Sequence, residues 1–234
     1  MKLRIIYQDE HYVAVDKPAG LLVHRSPLSA GDSEFALQSL RDQIEQTVYP
    51  CHRLDRPTSG VLLFALDRES LRCTQEELAN QGCDKVYRAI VRGWTEDSGR
   101  IDYGLKTEEA PHKLQSSQTS YRTLARSELP EPAGPYATAR FSLVKLNPKT
   151  GRKHQLRRHM AHIRHPIIGD TRHGDGAQNR FLREHCGVQR LLLRAETLCF
   201  THGKTRERIT VKAGVEAQFQ EIAAKLGFEP GSNL

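Results

Sequence analysis

The chain of 234 residues has no apolar run long enough to span a bilayer as a helix. Its opening, MKLRIIYQDEHYVAVDK, carries charge from the start and alternates like a strand, so a secretory signal is not expected there. Cys51, Cys73, Cys83, Cys186 and Cys199 are odd in number and contain no C-x-x-C pair. Neither a disulfide framework nor a zinc site is expected from them; reduced thiols in a cytoplasmic protein are. Also lacking are a G-x-x-x-x-G-K-[ST] loop to cradle nucleotide phosphates and a G-x-S-x-G elbow to present a hydrolytic serine. His159, His162 and His165 could suggest a metal, but their three-residue steps drift around a helix, and no acid or thiol stands among them. They read as solvated or RNA-facing side chains. The chain is expected to work without a metal or any other cofactor.

Acid is also scarce, and locally so. Between Lys145 and His173 the bases Lys145, Lys149, Arg152, Lys153, Arg157, Arg158, Arg164 and Arg172 face the single acid Asp170. The net charge of this one segment equals the +7 of the whole chain, so the remainder is neutral. A merely solvated face would account for the bases but not for the missing acids. Such a footprint belongs to a protein that docks on phosphates.

With 38% hydrophobic and 27% charged residues, the composition is that of a folded globular protein rather than a disordered one. The length suits one large domain or two small lobes. Residues 3–7 and 11–16 read as a strand pair, and Lys17-Pro18-Ala19-Gly20 as the turn that follows. Residues 34–48 carry Leu37, Leu40, Ile44 and Val48 on one side, an amphipathic helix stopped by Pro50. Gly60 to Leu66 is a continuous apolar run, hence a central strand covered on both faces, and a polar helix at about 69–81 ends at Gly82.

Residues 85–93 form another strand, with Tyr87, Ala89 and Val91 on one face. The polar stretch 104–136 reads as an insertion or mobile loop with one strand-like piece, Ser120 to Ala125. A strand over 138–147 precedes a helix running from about Thr150 to Pro166, whose buried stripe is Leu156, Met160 and Ile163. On its adjacent flank Arg157, Ala161 and Arg164 lie together, so Arg157 starts near the rim of the core and can reach inward. Strands near 191–200 and 206–212 and a helix at 215–227 complete the chain. The expected fold class is α+β, a mixed, largely antiparallel central sheet flanked by helices.

One stretch carries chemistry. HRLDRPTSG, residues 52–60, sets Asp55 between Arg53 and Arg56, just ahead of the apolar strand. Opposite charge close by holds an aspartate ionised. Pro57 stiffens the loop and Gly60 gives it a permissive joint. A carboxylate so presented can attack a sugar carbon or an electron-poor ring. A Ser-His-Asp hydrolase from Ser59, His52 and Asp55 would need three members aligned within one short loop. A conventional glycosidase would need a second carboxylate; Asp170 is the one candidate in the basic segment, and Ile167-Ile168-Gly169-Asp170 reads as a structural turn. Asp55 as a simple turn-capping residue would account for the loop taken alone.

HRLDRPTSG, KVYRAIVRG and TGRKHQLRRHM, in that order, resemble the three signature motifs of the RluA-type pseudouridine synthases, and DEHYVAVDKPAGLLVH resembles their N-terminal strand pair. The resemblance covers roughly residues 4–214 and is weakest over 100–136. Finer stretches, among them LVHRSPL, HGDGAQNR and QRLLLRA, resemble a tRNA-modifying branch that acts on uridine 65 in the T-arm stem. The resemblance implies the pseudouridine synthase fold, with the active-site cleft across the sheet. It also implies a single catalytic domain of two lobes over 1–234, without the small N-terminal S4-type RNA-binding domain of several ribosomal relatives.

The same resemblance assigns the residues. Asp55 would be the catalytic aspartate, and Tyr87 would stack on the target uracil near its C5 proton. Arg157 would pair with Asp55, Leu193 would pack beneath the base, and Arg53 would hold the backbone or fill the gap left by the extruded nucleotide. Lys149, Arg152, Lys153, Arg158 and Arg164 would hold RNA phosphates. Three acts stay open to the carboxylate: attack on the ribose C1′, attack on uracil C6, or removal of a ribose proton. The partner implied is tRNA, with no membrane and no protein partner, and a monomer is expected. A ribosomal RNA uridine is the alternative substrate, and a non-catalytic RNA-binding or RNA-folding factor the alternative class. Against the last stands the intact set Asp55, Tyr87 and Arg157.

Overall fold

The computed structural model describes residues 1–25, 34–107, 113–131 and 137–228. In chain order the elements begin with β1 (Arg4–Gln8), β2 (Tyr12–Lys17), α1 (Ala36–Ile44), β3 (Tyr49–Pro50), β4 (Ser59–Ala65) and α2 (Arg68–Ala79). They continue with β5 (Asp84–Arg92), β6 (Ser98–Asp102), β7 (Leu105–Lys106), β8 (Leu114–Gln115), β9 (Gln118–Leu129) and β10 (Ala139–Pro148). Last come α3 (Gln155–His162), α4 (Gly176–Cys186), β11 (Leu193–Thr201), β12 (Arg208–Lys212) and α5 (Ala217–Lys225). The chain divides into two compact units, one of Met1–Lys85 with Arg194–Gly214 and the other of Val86–Leu193 with Val215–Leu234.

The first unit is built on β4, whose seven residues are all buried, as the unbroken apolar run requires. It pairs antiparallel with β2 and with the short β3, and parallel with β11 through Ser59 and Gly60 opposite Arg194 and Ala195. β1 adds to β2 and β12 to β11, both antiparallel, so the sheet is mixed. Tyr12, Ala14, Val61, Leu63, Leu198 and Phe200 form its core. Asp67 caps α2 by accepting the Ser70 N–H, which is why the polar helix begins there.

The sheet of the second unit is antiparallel: β10 pairs with β5 on one side and β9 on the other, and β6 closes the edge on β9. One face carries Ile90, Phe141 and Leu143 against Leu182 of α4 and Phe219 and Ile222 of α5. The other carries Ala89, Val91, Val144 and Leu146 against Leu156 and Met160 of α3.

The described part of the stretch 104–136 is more ordered than a mobile loop. The strand-like piece Ser120 to Ala125 lies within β9, twelve residues paired with β10 along one side and with β6 over residues 118–122 on the other, and the small β7–β8 ribbon precedes it. Polar residues hide the strand in the sequence, because inward positions such as Thr119 and Ser127 are themselves polar. Residues 108–112 and 132–136 of that stretch lie outside the described residues. Helix α4 was not expected, although its signals are present: Asp175 accepts the Ala177 and Gln178 N–H groups, and Gly187 ends it at φ +70°.

Helix α3 is shorter than its apolar spacing predicts. His154 adopts a left-handed backbone, and the Gln155 side chain bonds Thr150, the Arg152 N–H and the Gln118 carbonyl, holding residues 150–154 as a turn. Arg164 lies beyond the helix at φ +67°, so it does not share a helical flank with Arg157. All five cysteines are free thiols, with Cys51, Cys83 and Cys186 buried.

Candidate active site

Asp55 sits in the loop between β3 and β4, half-buried, with Arg53 and Arg56 exposed on either side. The Thr58 N–H donates to the Asp55 carbonyl at 3.0 Å, closing the turn under the carboxylate. Arg56 is tied in both directions. Its carbonyl accepts the Gly20 N–H at 2.9 Å, and its Nε donates to the Gly20 carbonyl at 3.0 Å. The same carbonyl accepts from Lys17 Nζ at 3.2 Å. Lys17 is fully buried and also donates to the carbonyls of Pro18 (2.9 Å) and Leu21 (2.8 Å). A buried ammonium needs such partners, and these bonds join the DKPAG turn to the Asp55 loop. The sequence shows only a turn there; the one signal of more is a lysine closing the strand YVAVDK.

Two neighbours of Asp55 are engaged away from any hydrolytic triad. His52 Nε2 accepts the Leu63 N–H at 3.1 Å. Burial first, and then the charge of Lys85, lower the His52 pKa from 6.5 to about 4, so its ring is neutral. Ser59 is buried in β4 beside Arg194, whose Nη2 is bonded to Asp16 and the Gly214 carbonyl. At the loop's end Gly60 has φ +109°, and a Cβ there would stand 2.0 Å from the Ala195 carbonyl oxygen. The permissive joint is required by the close approach of β11.

Tyr87, Arg157 and Leu193 belong to the second unit. Tyr87 and Leu193 border the same apolar cluster, with Leu156 and Met160 of α3 between the sheet and the helix. Arg157 does reach inward from the rim and is buried at 5% exposure. Its Nε donates to Asp170 Oδ2 at 2.8 Å and its Nη2 to Oδ1 at 2.7 Å, a two-pronged pair that orients the guanidinium plane. Asp170 Oδ1 further accepts the N–H groups of Arg172 and His173, both at 2.9 Å. Burial alone would raise the Asp170 carboxyl, but the Arg157 bond, the His173 N–H and the guanidinium charge bring it below its ordinary value. The turn reading of residues 167–170 therefore holds, and it misses the ion pair that the turn carries.

Lys149, Arg152, Lys153 and Arg164 are exposed, and Arg158 is partly so. Arg158 Nη1 donates to the Lys106 carbonyl at 2.9 Å and Arg152 Nε to that of Ser116 at 3.4 Å, so both are braced by the β7–β8 region. Of the three histidines His162 is exposed and His165 partly so, as expected, but His159 is not solvated. His159 is fully buried, bonded to Thr119 Oγ1 (2.9 Å) and Ser117 Oγ (3.1 Å), and burial lowers its pKa. His162 stacks on Tyr103 at 3.7 Å, and His165 Nδ1 bonds the Arg92 carbonyl at 2.8 Å. His159 is buried because β9 presents polar partners to α3, and those partners lie in the stretch read as a loop.

A profile of the RNA pseudouridylate synthase family matches residues 11–162, and the chain belongs to that family of RNA-modifying isomerases. It is 50% identical to tRNA pseudouridine synthase C of Vibrio cholerae serotype O1 over 97% of each chain. To the protein of that name from Pasteurella multocida it is 53% identical over 95% of each. Its fold is similar to that of human RNA Pseudouridylate Synthase Domain Containing 4, with a TM-score of 0.75 at 22% identity over 97% of this chain and 94% of that one. Human RNA Pseudouridylate Synthase Domain Containing 1 gives 0.70 at 22% identity over 96% and 94%. Among the described residues, no helix is long and apolar enough to cross a membrane.

Proposed function

We propose that this chain isomerises uridine to pseudouridine in tRNA, at uridine 65 of the T-arm stem, with Asp55 as the catalytic carboxylate. The observation that carries the reading is the identity of about half the residues, over nearly the whole length, to relatives named tRNA pseudouridine synthase C. In the reaction the N1–C1′ bond of uridine breaks, the uracil turns, and a C5–C1′ bond forms. C5 gives up its proton and N1, freed of the ribose, takes one up, so the atoms balance and no cofactor is consumed.

A base inside a stem is out of reach, so the nucleotide is swung out into the site, at a cost of about a few kcal/mol in stacking and pairing. Phosphate contacts from Lys149, Arg152, Lys153, Arg158 and Arg164 offset that cost, and they read the shape of the RNA rather than its bases. The clamped loop keeps Asp55 in one place, Tyr87 stacks on the extruded uracil, Leu193 supports it from below, and Arg157 pairs with the carboxylate. Arg53, exposed beside Asp55, meets the backbone or the vacated space. The enzyme acts in the cytoplasm as a monomer, with its polypeptide as one catalytic domain.

Asp55→Asn tests the assignment. It should abolish pseudouridine formation on tRNA transcripts while leaving tRNA affinity within about tenfold, because the phosphate contacts are untouched. Full turnover by that variant refutes it. Sequence-resolved pseudouridine mapping of all RNA from cells with and without the protein tests the substrate: loss of the signal at tRNA position 65 is expected. Loss confined to ribosomal RNA would transfer the same chemistry to the alternative substrate.

A further inference from the structure

We propose that Asp170 is a positioning residue for the isomerisation, acting through Arg157. The inference rests on the reading above that Arg157 pairs with the catalytic carboxylate. An arginine has five N–H donors in a planar fork, and Asp170 takes two of them along the Nε–Nη2 edge. The plane of the guanidinium, and with it the direction of its other donors, follows that of the carboxylate.

The carboxylate itself has no freedom to turn. Arg172 N–H and His173 N–H hold Oδ1 from the backbone side. The surrounding turn is locked from three directions. Asn179 of α4 donates to the Asp170 carbonyl and accepts the Gly169 N–H, each at 2.9 Å. A Cβ on Gly169 would meet the Arg190 carbonyl oxygen at 1.8 Å. One on Gly174 would meet the Asp170 carbonyl oxygen at 2.1 Å.

A carboxylate needed only to neutralise a buried cation would not require this frame. Positioning does require it, since an error of about 1 Å at a reacting group can cost around a hundredfold in rate. The opposing view, that Asp170 merely stabilises the fold, makes a different prediction for a kinetic cycle of single and double variants.

Asp170→Asn should lower kcat on tRNA about 10- to 100-fold, with KM and tRNA affinity within about threefold of the parent. Arg157→Gln should lose at least as much. In the Arg157→Gln background, Asp170→Asn should cost less than about twofold more, because nothing is left to orient. Unchanged kcat per folded Asp170→Asn molecule, or a second full loss in the double variant, overturns the proposal. If Asp170→Asn fails to fold, Asp170→Glu carries the test, since it keeps the charge and displaces the carboxylate. Reduced kcat with unchanged tRNA affinity is then expected, and full kcat overturns the proposal. Full activity of Arg157→Gln instead sinks the parent reading of Arg157. Loss there, with none at Asp170, sinks this inference alone.

Discussion

Gly60→Ala should unfold the first unit's central strand pairing more readily than any surface change. A Cβ at Gly60 would lie 2.0 Å from the Ala195 carbonyl oxygen, 2.7 Å from its carbon and 2.8 Å from its nitrogen. All three are backbone atoms of β11 and cannot rotate away. To restore ordinary contact, β4 and β11 must part by about 1 Å or more, and such overpacking costs about 1–3 kcal/mol. Parting loosens the bridges that join Ser59 and Gly60 to Arg194 and Ala195, at about 1 kcal/mol per lost hydrogen bond. The backbone at φ +109° adds about 1–2 kcal/mol for a residue with a side chain. Together these give about 3–6 kcal/mol, a large part of the 5–15 kcal/mol typical of a domain. With a urea slope of about 1–3 kcal/mol per M, the midpoint should fall by about 1 M or more. Gly151→Ala, where nothing lies within 4 Å of the added carbon, is the control and should leave the midpoint nearly unchanged. If Gly60→Ala unfolds within 0.3 M of the parent, about the scatter of such a midpoint, the close approach does not hold the strands as described.

Replacing Arg152 and Arg158 together by Ala should weaken tRNA binding and lower the slope of log affinity against log salt by about one per lost phosphate contact; an identical slope removes them from the docking surface. His52 keeps a folded-state pKa of about 4, so between about pH 6.5 and 4 the unfolded chain binds the extra proton. Stability is therefore complete above about 6.5 and falls as the pH drops through that window. His52→Gln, which keeps an acceptor for the Leu63 N–H, should flatten the dependence in urea titrations across this range; parallel curves for both proteins would contradict the neutral ring.

Elements marked by an unbroken apolar run or by regular apolar alternation were legible in the sequence. β4 announces itself by an unbroken apolar run, and the strand pair β1–β2 by alternation. Only the middle of β9, Ser120 to Ala125, was legible, because towards its ends Thr119 and Ser127 take buried positions that an apolar pattern would have marked. The misreading of His159 follows from the same cause, as its partner Thr119 lies on that strand. The loop that carries Asp55 was legible as a short motif ahead of β4, but the Lys17 anchor joins residues 39 positions apart and leaves no periodic trace. Helical spacing lets Arg157 reach inward, but it cannot reveal the carboxylate thirteen positions onward that receives it.

The thiols divide the molecule's surface chemistry. Burial pushes Cys51 and Cys83 up to about 12, so at neutral pH neither offers the thiolate that an alkylating reagent attacks. Cys73 and Cys199, both partly exposed and both in the first unit, are the positions where a maleimide dye will attach to the native enzyme. Slow capture of Cys51 or Cys83 then becomes a clock for opening of that unit's interior, readable by peptide mass without any engineered probe.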